Sequence, residues 1–189
     1  MLSDLYQSDA VKPRRLEAEA VRDAILAASG KLNLKLYGPS VPPFISPFQN
    51  GRGRPASGPL DGEGRRSIYI QIRRNFVPPL FTAFDYPPPA STTGVRGTSA
   101  VPSQALMLLN NEFVQQQSRE FAASLLAASS ALNTRVEQAY IRAFSRKPAP
   151  AELARIAEFL VAQAGRPELD AFADVVHVLL NSPEFIYVR

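Results

Sequence analysis

Proline decides where this chain can be regular. Twelve of its seventeen prolines lie between Pro39 and Pro102, and none falls between Ser103 and Lys147. A proline lacks the backbone N–H and holds φ near −65°, so it can open a helix or stop one but does not fit a helix interior or a central strand. The chain is thereby split into a punctuated middle and a C-terminal part free to be helical. Its 189 residues suffice for one domain with a real core. With 46% hydrophobic and 20% charged residues it has globular proportions, not those of a disordered, collagen-like or coiled-coil chain.

Periodicity fills in that division. The run from Arg14 to Ser29, with Pro13 before it and Gly30 after it, reads as a helix over 13–30 with proline at its opening and glycine past its end. At the helical repeat, Leu16, Ala20, Val21, Ala24, Ile25, Ala27 and Ala28 share one broad face, and Arg15, Glu19 and Arg22 fall opposite. Glu17 lands inside the apolar face, where a carboxylate needs a basic partner or a shifted pKa. Tyr37 to Arg66 holds six glycines and six prolines without apolar period, and reads as a long irregular loop. Ser67 to Arg74 then alternates, with Ile68, Ile70 and Ile72 on one side and Ser67, Tyr69, Gln71 and Arg73 on the other, the pattern of a half-buried strand. With no obvious partner, it is either an extended segment laid against helices or half of a minimal pair with part of the loop.

Leu80 to Asp85 has room for one or two helical turns before Pro87-Pro88-Pro89 forbids more. From Gln104 to Ala128 the chain reads as helix, with Leu106, Leu109, Phe113, Phe121 and Leu125 in the core and a bend at Asn110-Asn111. Helices over 133–146, 151–164 and 168–181 follow, and their short joints favour antiparallel neighbours. The expected fold is mainly α: residues 1–12 a disordered or truncated remnant, then a single domain over 13–189. In it, the helix at 13–30 is followed by a loop-rich middle at 37–102 and a helical bundle at 103–189, with at most one short strand pair.

Several function classes drop out. The chain has no cysteine, which excludes disulfides, thiolate metal sites, a cysteine nucleophile and covalent haem attachment. Its apolar runs fall far short of the roughly 20 residues of a membrane span. Met1 to Ala10 has two acids, no base and no apolar stretch, so it does not read as a secretory signal; either the protein is cytoplasmic or its beginning is missing. The net charge of +4 is modest and not gathered into one stripe, which argues against nucleic acid. No catalytic or metal motif stands out.

Four groups of residues remain as candidates. Glu17, Glu19, Arg22 and Asp23 on the first helix, with Arg65, Arg66, Tyr69, Arg73 and Arg74 around the alternating segment, would make a ligand-binding cluster for an anion or a sugar if helix and segment pack together. The competing reading is a salt-bridge network that fixes the loops. Glu19 and Asp23 stand one turn apart, a spacing that can hold a metal, but no further ligands match it. His177, the only histidine, sits in an apolar run with Asp174 three residues before it; a packed core histidine is the plainer reading. Arg52 and Arg54 in Gly51-Arg52-Gly53-Arg54-Pro55 match the centre of a minor-groove hook, although Gln49-Asn50 stands where more basic residues and proline are expected, and Asp61 and Glu63 follow soon after. Finally Tyr37, Phe44, Phe48, Tyr69, Phe76, Phe81, Phe84 and Tyr86 would either line a carbohydrate or peptide groove or staple the loops to the bundle.

Short blocks recur in a recognisable order: Arg14-Arg15-Leu16-Glu17-Ala18-Glu19 with Arg22-Asp23, Gly38-Pro39-Ser40, Arg66-Ser67-Ile68-Tyr69 with Arg73-Arg74, Phe84-Asp85 with Pro87, Gln104-Ala105-Leu106 with Leu109-Asn110, and Leu180-Asn181-Ser182 with Glu184-Phe185. Together they resemble the planctomycete PSD-type domain, the domain of unknown function numbered 1553, over nearly the whole chain from Pro13. The resemblance implies the C-terminal module of large, often exported or periplasmic proteins that can also carry a cytochrome c-like domain. It implies upstream domains of the same protein as partners, with polysaccharide or redox partners by context, and places any haem in an upstream module, with no cofactor in this chain. It carries no reaction. The expected role is an accessory or scaffold domain. The alternatives are part of an enzyme or carbohydrate-binding site completed by an upstream module and, more weakly, DNA binding through Arg52 and Arg54.

Overall fold

A computed structural model describes residues 13–188; the expected remnant over 1–12 lies outside them. Among the described residues the order is β1 (Arg14–Arg15), α1 (Ala18–Ser29), α2 (Pro79–Ala83), α3 (Pro102–Asn110), α4 (Glu112–Ala128), α5 (Leu132–Phe144), α6 (Pro150–Ala162), α7 (Glu168–Leu180), α8 (Pro183–Ile186) and β2 (Tyr187–Val188). No helix among them is long and apolar enough to cross a membrane. Proline opens α2, α3, α6 and α8 within their first two positions, where its missing N–H costs nothing. Gly30, at φ 76°, closes α1 in the left-handed conformation.

The first helix differs from its expected form. It begins at Ala18, because Arg14 and Arg15 are drawn into an antiparallel pair with β2 (Arg14 with Val188, Arg15 with Tyr187), and Glu17 is still extended at φ −71°, ψ 159°. The single strand pair therefore joins the two ends of the described chain. The face pattern changes too. Val21, Ile25 and Ala28 are buried as expected, but Ala20 and Ala27 are exposed, and Leu26 and Arg22, outside the expected face, are buried. The cause is that α1 packs against α4, α2, α5 and the 67–69 turn, so it is covered on more than one side.

The core runs along the seam of α4 and α7 and under α1, where Phe81, Leu108, Val114, Phe121, Phe172, Val176 and Leu180 are wholly or almost wholly buried. The expected bend at Asn110-Asn111 is a complete break. Asn111 leaves the helical region at ψ 124°, and its side chain accepts a hydrogen bond from the Phe113 N–H to cap α4. With α3 set off at its own angle, Leu108 fills the core and the expected core residues Leu106 and Leu109 are exposed.

The segment 67–74 is not a strand. Ser67–Tyr69 is a 3-10 turn, Ile70 makes an isolated parallel bridge to Val41, and Ile68 and Ile72 are exposed while Ile70 is buried. Both the N–H and the hydroxyl of Ser67 donate to the Asp23 carboxylate, at 2.8 and 2.7 Å. That side-chain capture folds the chain onto α1 and overrides the alternation. The preceding loop is an ordered layer over α1: Asn33 donates to Gly64, Val41 to Tyr69, Gln71 to Val41 and Gly58 to Pro43. Gly64 is required there, since its φ is +64° and a Cβ would lie 2.3 Å from the Lys31 carbonyl oxygen.

One tie in the C-terminal bundle sets an acid limit. Arg146 grips Glu152 at the start of α6 with two 2.8 Å bonds, and Glu184 of α8 with bonds of 2.6 and 2.8 Å. The bonds from Arg146 hold Glu152 down to about 2, from an ordinary 4.5. A depressed carboxylate contributes stability that is fully present above its unfolded value and lost as pH falls through its folded one. The urea midpoint is therefore expected to fall between pH 4.5 and about 2, with a shallower fall in Glu152→Gln. The pair is largely solvated, so the effect is small.

Candidate functional site

Arg22 is the organising residue of the charged cluster. It projects from α1 beneath the loop layer, and Nη1 donates to the Arg65 carbonyl at 2.9 Å and to Ser67 Oγ at 3.1 Å, while Nη2 donates to the Asp61 carbonyl at 2.6 Å. Burial lowers its pKa, partly countered by Asp23 and Asp61. One guanidinium thus ties three points of the 61–67 segment to a helix. Asp23 completes the clasp through Ser67 and lies 4.0 Å from Arg66.

The other residues expected at this site are spread more widely. Arg65 is buried against the Tyr69 ring, 4.1 Å from its centroid, and donates to the Tyr37 carbonyl; the Tyr69 hydroxyl accepts from the Tyr37 N–H. Arg73 is exposed and its side chain donates to Gln71, and Arg74 is exposed beside it. Glu17 is not in the apolar face of α1. Standing at the helix N-cap it is exposed, and with Glu19 it is held by Arg96, whose two terminal nitrogens make a forked pair with Glu19 at 2.9 Å and reach Glu17 at 3.0 Å. Arg22, Asp23, Arg65, Arg66 and Tyr69 are brought together, then, whereas Glu17, Arg73 and Arg74 are elsewhere.

The remaining candidates separate as clearly. Arg52 and Gly53 form an exposed turn, and Arg54 donates back to the Ser46 carbonyl at 3.2 Å. His177 meets the Leu108 carbonyl through Nε2 at 3.0 Å, and Asp174 is paired with Arg166 instead. Among the described residues no three His, Cys, Asp or Glu side chains come together as metal ligands. The aromatics divide between both expected roles. Phe76, Phe81 and Phe84 are buried staples, with Tyr86 stacked on Phe81 at 5.4 Å, while Phe44 and Phe48 stand at a cavity.

That cavity is the feature periodicity did not foresee. It is an open groove of about 430 Å³ between the loop layer and the α3–α4 corner, walled by Phe44, Phe48, Pro79, Leu106, Met107 and Phe113. Arg22 forms part of the wall beside Phe113, 5.5 Å from the ring centroid. Polar groups are few: Asn110, Asn111 and Glu112 at the helix break, Ser46 and Ser103 at the edges. The break at Asn111 ends α3 beside the groove, where the exposed Leu106 and the partly buried Met107 form its wall. The sequence signals for the groove were the Asn110-Asn111 pair and the loop aromatics, of which Phe44, Phe48 and Phe81 line it.

A family model described as PSD1, protein of unknown function (DUF1553), matches residues 5–160. No match to the chain is found among curated proteins or among solved structures.

Proposed function

We propose, for a chain that belongs to the family of proteins of unknown function DUF1553, a noncatalytic accessory domain that docks an apolar polypeptide segment in the groove beside Arg22. One observation carries this reading. Arg22 and Asp23, the centre of the expected polar site, are consumed in fixing the 61–67 segment to α1, and the concave surface beside Arg22 is lined by rings, prolines, Leu106 and Met107. A groove of this size and lining suits two or three large side chains. Sugars call for more convergent hydrogen-bonding groups than this wall provides. The upstream modules implied by the resemblance are the natural source of such a segment, and any haem or redox chemistry would belong to them.

The aromatic probe 1-anilinonaphthalene-8-sulfonate is expected to bind the chain at one saturable site. Leu106→Asp should weaken it about tenfold, the effect of losing one apolar contact, with the unfolding midpoint held because Leu106 is largely exposed. Peptides selected on the chain from a random library should carry two or more large apolar residues and displace the probe. Selected peptides that leave the probe in place, or that bind Leu106→Asp undiminished, would defeat the reading.

A further inference from the structure

The positive charge of this protein is more concentrated than its total suggests. Between Lys31 and Arg74 there are eight basic residues and two acidic ones, a net +6 in a chain whose total is +4. The fold turns this stretch into one surface layer. Residues 33–41 and 65–71 run side by side, joined by the parallel bridges Asn33–Arg65 and Val41–Ile70, by the Tyr37 N–H to the Tyr69 hydroxyl at 2.9 Å, and by Arg65 to the Tyr37 carbonyl at 2.8 Å. Of the basic residues on these two segments, Lys35 and Arg66 are exposed, while Arg65 is buried against Tyr69.

Apolar side chains stand out from the same layer. Leu34 is 69% exposed, Leu36 56%, Tyr37 80% and Ile68 77%. They stand close in sequence to the exposed Lys35 and Arg66, and Arg73 and Arg74 are exposed further along the second segment. The opposing charges nearby are few. Asp23 lies beneath Arg66, Glu120 pairs with Lys31, and Glu63 is exposed at the turn after Asp61. An isolated exposed leucine needs no explanation, but four large apolar side chains set among cations on two adjoining segments form a patch.

We propose that this face binds the surface of an anionic lipid bilayer, with Lys35, Arg66, Arg73 and Arg74 at the headgroup phosphates and Leu34, Leu36, Tyr37 and Ile68 in the boundary between headgroups and acyl chains. The charge complements an anionic leaflet. The aliphatic side chains decide between lipid and nucleic acid, since Leu34, Leu36 and Ile68 gain burial in a bilayer interface but have no counterpart on a phosphate-sugar backbone, where arginines and stacked rings suffice. Tyrosine, apolar in body and polar at its tip, belongs at that depth.

Flotation with phosphatidylcholine vesicles, with and without phosphatidylglycerol, tests it on the whole chain. Binding is expected only with the anionic lipid, and is expected to weaken as salt rises. Lys35→Glu/Arg73→Glu/Arg74→Glu should reduce it at least about tenfold through charge, and Leu34→Ser/Leu36→Ser/Ile68→Ser by a similar factor through lost insertion. All six positions are exposed, so an unchanged unfolding midpoint shows that the fold is intact. Absence of binding to anionic vesicles, equal binding to both vesicle types, or insensitivity to the apolar triple variant overturns the proposal. So does an oligonucleotide that binds more tightly than the vesicles do and ignores the apolar variant, which would identify the partner as nucleic acid.

Discussion

Arg22→Met is expected to lower the unfolding free energy by about 3 kcal/mol and to weaken probe binding in the groove along with it. Methionine fills much of the arginine's space, so the loss is one of bonds rather than of volume. The Arg65 and Asp61 carbonyls and the Ser67 hydroxyl would each lose a charged donor in a place where Arg22 is only 7% exposed. Each unmade bond costs roughly 1–3 kcal/mol, and relief from burying a cation offsets part of the sum. Arg22→Lys should recover less than half, because an ammonium is a point donor and the acceptors lie around a fork. Urea unfolding gives the free energies, and limited proteolysis should show new cleavage between Asp61 and Ser67. A loss within about 0.5 kcal/mol, the range of ordinary surface changes, would mean that the loop layer is held by its backbone bonds instead.

The same residue shows what was legible in the sequence. Helix positions in the bundle follow from proline placement and apolar period, which are local properties, and α5, α6 and α7 lie within two residues of their expected bounds. The first helix was read from the same period but lost its first turn to a strand pair with Tyr187, more than 150 residues away, which no local pattern carries. Arg22 fell on the polar side of a two-faced helix because periodicity assumes one buried face, and α1 is covered by the loop layer as well as by α2, α4 and α5. The segment after Ser67 alternates convincingly, yet one carboxylate from α1 decides its conformation. Arg96 sits between Gly94 and Gly97 with nothing around it to suggest that it clasps Glu17 and Glu19. Local structure was readable, and long-range side-chain capture was not.

The second large effect is expected at Asp85. The carboxylate accepts from Arg15 Nη2 at 2.7 Å, from the Ser99 N–H at 2.7 Å and from the Ser99 hydroxyl at 2.8 Å. Burial alone would raise its pKa, but the Ser99 bonds and Arg15 outweigh that and leave it lowered. The Arg15 side chain is 4% exposed, and Nε and Nη1 have no hydrogen-bond partner among the described residues, so Asp85 is its principal support beside the Phe84 ring. Asp85→Asn preserves shape, and asparagine tolerates the left-handed φ of 60° at this position, so backbone strain does not confuse the result. It leaves a buried cation facing an uncharged amide and should cost about 3–5 kcal/mol. Arg15→Met in the same chain removes that cation, so the double variant should be more stable than Asp85→Asn alone, a coupling that a double-mutant cycle in urea measures directly. Additive losses would refute the pairing. The sign of the pH effect follows from the lowered carboxylate: its contribution is complete above the ordinary value of 3.8 and disappears as pH falls below it, a dependence that Asp85→Asn should lack. Because Arg15 also pairs with Tyr187 through β1, and Gln104 at the start of α3 donates to Ser99, this one carboxylate couples the closing strand pair to the α3 end of the groove. Loss of Asp85 should therefore weaken probe binding at Leu106 and Met107 without touching either residue.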